Sequence, residues 1–220
     1  MTLLTFPLAL VLAPTPAENP EPAAPEEQTA EPVEEGPDAA QSRFDAPYRR
    51  HSIGTSAFVL MNVIPLDDRP SFYQLNYAYR ITPKDVISVE AITWKYYGPI
   101  GRQYWDSGDN YPGSVRSVGV GVAYQRFLWR GLYVGAHALP LLQTYLDVDN
   151  KKIQRGFQLF LTARLGYHVQ LFNNRVFIEP SVAFTSWPIY TNLPDSFAQE
   201  EDKWSKFFLF EPGLHFGVKF

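Results

Sequence analysis

The chain ends on the stretch Phe208–Phe220, FLFEPGLHFGVKF, in which apolar and polar residues alternate. One set of alternating positions holds Phe208, Phe210, Pro212, Leu214, Phe216, Val218 and Phe220. The other set holds Glu211, Gly213, His215, Gly217 and Lys219. Because successive side chains of a β-strand point to opposite faces, this stretch predicts a strand with one apolar and one polar face.

The same alternation recurs in seven earlier segments, so the sequence predicts an all-β fold with eight antiparallel strands. The predicted strands cover residues 52–63, 72–81, 86–97, 115–128, 132–146, 156–171, 176–187 and 206–220. Most of them exceed the roughly 5–6 residues of an average soluble strand and reach the ~9–11 residues of a tilted membrane strand. Strand length therefore favours a barrel whose apolar outer face meets lipid.

The composition is compatible with such a barrel. Aromatic residues make up 15% of the chain, which suits aromatic girdles at the two membrane interfaces. The barrel region has no apolar run of about 18 residues, which excludes a bundle of transmembrane helices. The chain has no Cys, which excludes disulfides, thiolate metal sites and a lipid anchor on an N-terminal Cys.

The N-terminal part differs from the rest. Residues 1–17, with an apolar stretch and small residues for cleavage, predict a signal peptide. Residues 18–46 are rich in Pro, Glu and Ala and predict a disordered periplasmic segment. Residues 47–220 form the predicted barrel. Without the eight acids of residues 1–40 the formal net charge changes from −4 to +4, too small an excess to indicate nucleic-acid binding.

The predicted connections alternate between short and long. Tight turns are expected at 82–85, 129–131 and 172–175, and longer polar loops at 65–70, 98–113, 147–155 and 189–203. Outer-membrane barrels have short periplasmic turns and long extracellular loops. The alternation therefore predicts that both termini lie in the periplasm.

These features resemble the small eight-stranded outer-membrane β-barrels of Gram-negative bacteria, the OmpX-like and OmpA-transmembrane-domain group. The most specific motif is GLHFGVKF at 213–220, which is similar to the C-terminal signal that barrel-assembly machinery recognises. The resemblance implies an up-and-down transmembrane β-barrel in the outer membrane. It also implies outer-membrane lipid, lipopolysaccharide and the assembly machinery as partners, and leaves activity and oligomeric state open. The predicted assembly-signal residues are Leu214, Phe216, Val218 and Phe220.

Charged and histidine side chains fall on the inward positions of the predicted strands. The predicted cluster in the lumen is Arg80, Glu90, His137, Arg164, Glu179, Glu211, His215 and Lys219. Eight strands enclose a space just wide enough for side chains, and buried charges need partners. The sequence therefore predicts a salt-bridged polar lumen, in which Arg164 pairs with Glu179 or Glu211.

Three functions stay open at this stage. The first is a non-enzymatic barrel with an envelope-structural role or with surface loops that bind a partner. The second is an enzyme that modifies lipid or lipopolysaccharide, and the third is a narrow pore or a binder of small hydrophobic molecules. No catalytic residue is predicted, since Ser181 and Ser186 lack an obvious histidine at their level.

No cofactor or metal site is predicted either. The acidic segments 106–110 and 147–150 lack the full pattern of a calcium loop and are interpreted as solvated loop tips. Pro180 and Pro212 occupy matching places in a weak repeat of two neighbouring strands. Proline removes a hydrogen-bond donor from a sheet, so this pair indicates a bulge or an opening in the wall, unless it reflects only common ancestry of the hairpins.

Overall fold

The computed structural model describes residues 49–65, 70–102 and 108–220. The described residues do not include the predicted signal peptide (1–17) or the Pro/Glu-rich segment (18–46). They also do not include Asp106, the first residue of the acidic segment 106–110. The strands are β1 (His51–Ser56), β2 (Tyr73–Arg80), β3 (Asp85–Tyr96), β4 (Ser114–Trp129), β5 (Leu132–Leu146), β6 (Lys152–Tyr167), β7 (Val169–Leu171), β8 (Val176–Thr191) and β9 (Phe207–Lys219). A 3-10 helix covers Ala57–Val63, and the α-helix α1 covers Asp195–Glu201.

The strands form one closed antiparallel ring with eight positions. β6 and β7 share a position, because both pair with β8 and His168 alone separates them. Every other strand pairs with its neighbours in the chain, and β1 closes the ring by pairing with β9 from Ser52 opposite Lys219 to Ser56 opposite His215. The predicted all-β class and the eight-strand antiparallel arrangement are therefore confirmed.

The two ends of the ring differ in their connections. The turn end carries the short connections 81–84, 130–131 and 172–175 and both ends of the ring-forming segment, where His51 and Phe220 exchange backbone hydrogen bonds. Arg130 and Gly131 both have positive φ, at 43° and 95°, as two-residue hairpin turns require. The loop end carries the connections 57–72, 97–113, 147–151 and 192–206.

Only the first half of the first predicted strand is a strand in the structure. The sequence predicts a strand over 52–63, but the strand ends at Ser56 and a 3-10 helix follows. The Ser56 hydroxyl accepts a hydrogen bond from the Phe58 backbone N–H at 3.2 Å and so caps this helix. Further along, the Asn62 side chain binds the backbone N–H and C=O of Phe72 at 2.9 and 2.5 Å. These local polar contacts replace the strand's ladder to β2 and β9.

A bulge in β9 corrects the predicted face of Phe208. The register between β8 and β9 shifts between Ala183 and Thr185, and Phe210 at the shift has a φ of 58°. The extra residue reverses the alternation beyond it. As a result Phe208 turns inward and packs edge-on against Trp187, with ring centroids 5.3 Å apart, although the uninterrupted pattern places it outward.

The outer face of the ring is apolar and exposed. Leu75, Val120 and Leu142 are 58%, 58% and 65% exposed. A hollow of about 850 Å³ crosses this face, and its outward lining includes Tyr77, Ile87, Val122, Ala136, Leu161 and Phe184. In the described part of the chain no helix is long and apolar enough to cross a membrane.

Candidate functional site

The interior of the ring is filled by polar side chains at the turn end. His168 Nδ1 and Glu179 Oε1 are 2.6 Å apart, and Gln125 donates to the same carboxylate oxygen at 3.2 Å. Phe177 stacks on the His168 ring at 5.3 Å, and Phe127 meets its face edge-on at 5.5 Å. A space of about 130 Å³ remains among these side chains, and a second space of about 310 Å³ lies beside Phe127, His168 and Lys219 at the mouth of the turn end.

Helix α1 fills the loop end. Its Phe197 is fully buried, stacks on Tyr111 at 4.7 Å and packs edge-on against Tyr145 at 5.5 Å. The predicted loop over 189–203 misses this helix, because the segment is short and polar. Two signals could have found it: Pro194 directly before the helix and Asp195 in its first turn.

Glu201, the last residue of α1, is a buried acid. Its carboxylate accepts a hydrogen bond from the Tyr111 hydroxyl, and it is 2% exposed. Burial raises the pKa of the Glu201 carboxyl above its usual value of 4.5, and the Tyr111 hydrogen bond opposes this rise only in part. Burial likewise raises the pKa of the Tyr111 hydroxyl, so the hydroxyl remains a donor.

We expect docking of α1 to weaken as the pH rises. A carboxyl whose pKa is higher in the docked than in the undocked state stabilises docking fully below 4.5 and loses this contribution as the pH passes its raised pKa. Hydrogen exchange of the 192–206 connection, corrected for intrinsic rates, should therefore accelerate as the pH rises above 4.5 through the raised pKa of Glu201. Glu201→Gln should abolish the change, and Glu200→Gln on the same helix should retain it. Equal pH dependence in all three proteins would contradict this assignment.

Between the two filled ends lies a cavity of about 530 Å³, here called the middle cavity. Its side toward the loop end is apolar and is lined by Phe72, Ile92, Trp94, Leu139, Leu141 and Phe160. Its polar lining consists of Gln74, which is opposite Ile92, and of residues farther from the loop end, namely Glu90, His137, Thr162, Arg164, Thr185, Glu211 and His215. The cavity is thus amphipathic.

The polar groups of the middle cavity form separate small contacts. Glu90 accepts a hydrogen bond from Gln74 at 2.8 Å, and Glu211 accepts one from Thr185 at 2.6 Å. Arg164 Nη1 lies 3.0 and 2.9 Å from the two ring nitrogens of His215. Each acid thus has a neutral hydrogen-bond partner, and neither forms an ion pair with Arg164.

The wall of the ring is interrupted beside the middle cavity, at a place here called the wall gap. β1 pairs with β2 only as far as Gly54 opposite Asn76, and with β9 only as far as Ser56 opposite His215. The wall gap therefore lies between residues 73–75 of β2 and residues 207–214 of β9, which lack strand pairing on the sides that face each other. The Thr55 hydroxyl at its border donates a hydrogen bond to the Gln74 carbonyl at 2.7 Å. The 3-10 helix occupies it and is fastened to the β2 side by Asn62 and by Phe58, whose ring packs on Phe72 at 4.8 Å.

The middle cavity reaches the outer face through the wall gap. Its lining includes Ala57, Phe58 and Met61 of the 3-10 helix and, across from them, Pro212 and Leu214 of β9. Leu214 belongs to the exposed apolar outer face. Within the described residues no hydrogen bond joins the 3-10 helix to β9. Pro212 has no N–H that an unpaired strand edge would expose.

The structure divides the predicted lumen cluster into three groups. Arg80, Glu179 and Lys219 lie toward the turn end, where Lys219 donates to Asn174 at 3.0 Å. The central residues are Glu90, His137, Arg164 and His215. Glu211 is exposed at the wall gap. Of the predicted pairs, Glu179 binds His168 and Gln125, while Arg164 contacts His215 instead of Glu179 or Glu211.

The predicted assembly-signal residues Leu214, Phe216, Val218 and Phe220 all lie on the exposed outer face of the chain's end. Pro180 and Pro212 are close in the sheet, opposite Leu214 and Val182 respectively. Of the two, Pro212 is the one beside the wall gap.

The described serine and histidine side chains form no nucleophile–base pair. Ser181 donates to the Gly213 backbone carbonyl at 3.4 Å. The histidine rings make their hydrogen bonds elsewhere, His51 with Tyr77, His168 with Glu179, and His215 with Arg164. The Asp147 carboxylate binds the backbone N–H groups of Asp149 and Lys151, and no cluster of described residues could hold a metal ion.

Comparison with protein-family models, with curated proteins and with solved structures finds no match to this chain. The geometry of the ring, of the middle cavity and of the wall gap therefore has to support any functional conclusion.

Proposed function

We propose that this chain is a non-enzymatic integral outer-membrane β-barrel that binds a single-chain lipid in its middle cavity. The observation that carries the proposal is a cavity of about 530 Å³ inside the ring that reaches the outer face at the wall gap. The wall gap offers a guest an entrance from the side. In a membrane the side of a barrel faces lipid, so the guest comes from the bilayer.

Membrane insertion is supported by the outer face and by the connections. Soluble monomers rarely expose an apolar patch larger than a few hundred Å², whereas here exposed apolar side chains recur on every long strand. Strands β4, β6 and β8 have 16 residues each, enough to cross a membrane at a tilt. Short connections at one end and long ones at the other follow the periplasmic and extracellular pattern.

The lining of the middle cavity supports a lipid-like guest. The volume lies within the range of about 300–1,000 Å³ that is usual for ligand pockets. The aromatic and aliphatic side chains toward the loop end suit an alkyl chain, and the polar groups toward the turn end suit a headgroup. The described hydroxyl and imidazole groups provide binding contacts and no nucleophile–base pair, which favours binding over hydrolysis.

A fluorine NMR titration tests whether an alkyl chain enters the middle cavity. The protein, labelled with 5-fluorotryptophan and folded in detergent micelles, is titrated with hexadecanol. The Trp94 resonance should shift saturably because Trp94 lines the cavity. The Trp129 resonance should not, because Trp129 is exposed on the outer face.

Two matched variants locate the binding. Thr162→Phe fills the cavity from inside, while Ala163→Phe adds the same ring to the outer face one residue away. We expect the Trp94 shift to disappear only in Thr162→Phe. An unresponsive Trp94 in the wild type, or an unchanged shift in Thr162→Phe, would overturn the proposal.

A further inference from the structure

The guanidinium of Arg164 has more donors than acceptors around it. It carries five N–H groups, and its contacts are the His215 ring and the Tyr133 hydroxyl. A neutral imidazole offers one acceptor nitrogen, so His215 satisfies one of these donors at most. Both partners are neutral acceptors, and neither balances the charge.

No described carboxylate forms an ion pair with Arg164. The two acids that line the same cavity are engaged elsewhere, Glu90 with Gln74 and Glu211 with Thr185. Arg164 is half-buried inside the ring, where an unbalanced charge costs free energy. The middle cavity therefore holds a cation that makes no direct ion pair with a described carboxylate, with Glu90 as its neighbouring acid in the same lining.

A second polar group in the cavity also lacks a partner. His137 Nε2 is buried without a hydrogen bond, and its distance of 3.7 Å from Glu90 Oε2 is too long for one. Buried ring nitrogens without a partner are rare and need an explanation. His137 and Arg164 line the same polar side of the middle cavity, so one anionic group bound there could satisfy both.

We infer that the guest of the middle cavity is a long-chain fatty acid whose carboxylate is bound by Arg164, with His137 as a further donor. This inference rests on the proposed function and adds the headgroup to it. The planar guanidinium fork matches a carboxylate, and the alkyl chain extends from it toward Trp94 and Phe160. A singly charged head is favoured over a dianion such as a phosphate monoester, because Glu90 and Glu211 on the same lining repel the dianion more strongly.

The headgroup can be tested with three ligands that share one C16 chain. Hexadecanoate, hexadecanol and hexadecylamine are titrated against the fluorotryptophan-labelled protein in neutral detergent, and the Trp94 resonance reports binding. A hydrogen-bonded charge pair contributes enough to make hexadecanoate bind about 10- to 100-fold more tightly than hexadecanol. Equal affinities of acid and alcohol would overturn the inference and leave the proposed function standing.

The other outcomes are also decisive. If hexadecylamine binds most tightly, the cavity recognises a cation through Glu90 or Glu211, and the fatty-acid assignment is wrong. If none of the three ligands moves Trp94, the proposed function itself fails. The wild-type series is decisive without any variant, so a poorly folding arginine variant does not block the test.

Two substitutions then assign the effect to the residue. Arg164→Met should abolish the preference for the acid, so that hexadecanoate and hexadecanol bind this variant with equal affinity. Arg116→Met removes an exposed arginine of β4 at the loop end and should change neither affinity. An acid preference that survives in Arg164→Met would show that another group binds the carboxylate.

Discussion

Replacement of Glu179 by leucine is expected to lower the free energy of unfolding by roughly 3–5 kcal/mol, the usual cost of breaking a buried pair from one side. The Glu179 and His168 side chains are 14% and 5% exposed, and their contact is 2.6 Å long. Without the carboxylate, His168 Nδ1 and the Gln125 amide lose their shared partner inside the ring. Urea unfolding in lipid vesicles, followed by tryptophan fluorescence, measures the loss.

Two controls separate this pair from a general effect of mutation. The double variant His168→Phe, Glu179→Leu removes both polar partners and should recover part of the loss, because apolar replacement of a whole buried pair is often tolerated. Arg126→Leu breaks the Arg126–Asp85 ion pair, which has a similar length of 2.8 Å but a 53% exposed arginine, and should cost about 0–1 kcal/mol. Losses of equal size in Arg126→Leu and Glu179→Leu would contradict the dependence on burial.

The ring could be predicted from the sequence because alternation of apolar and polar residues with a period of two is typical of β-strands. A stretch such as 118–124, with Val118, Val120, Val122 and Tyr124 on one face, predicts the strand and its apolar face, which is the exposed face in the structure. The order of the strands then follows from short connections between consecutive hairpins. For these reasons the eight-strand arrangement needed no information beyond period and spacing.

The wall gap could not be predicted by the same argument. Residues 57–63, AFVLMNV, are as apolar as a strand, and nothing in their period excludes one. Their helical conformation depends on the Ser56 cap and on the Asn62 contact with Phe72, ten residues away in the chain. The bulge at Phe210 is a similar case, since the sequence around it alternates as if no extra residue were present.

The pairing of charged side chains inside the ring could not be predicted from the sequence either. Inward orientation selects Arg164, Glu179 and Glu211, but it does not give their heights along the axis. The register places Arg164 opposite Ala183 on β8, whereas Glu179 lies next to His168 at the turn end. Glu211 is also opposite Ala183, but its carboxylate accepts a hydrogen bond from Thr185. The predicted arginine–glutamate pairs therefore give way to a histidine–glutamate pair and to an arginine that faces the middle cavity.

Phe220→Ala is expected to reduce severalfold the amount of folded protein that reaches the outer membrane of a Gram-negative host. This expectation follows from the predicted role of Phe220 in an assembly signal and from the proposed outer-membrane location. In the structure the Phe220 ring also stacks on His51 at 5.7 Å, across the β1–β9 contact that closes the ring. A loss of folded protein could therefore arise from failed recognition or from a weaker ring closure, and the heat-modifiable band of membrane fractions measures their sum.

His51→Ala separates these two causes, because it removes the same stacking contact and keeps the terminal phenylalanine. An aromatic pair contributes about 0.5–1.5 kcal/mol beyond its buried area, a small part of the ~5–15 kcal/mol that stabilises a folded domain. We expect His51→Ala to accumulate normally in the outer membrane, and both variants to refold from urea into detergent as efficiently as the wild type. If Phe220→Ala also refolds poorly in detergent, its role is in ring closure. If it accumulates normally in cells, the terminal residue carries no assembly signal.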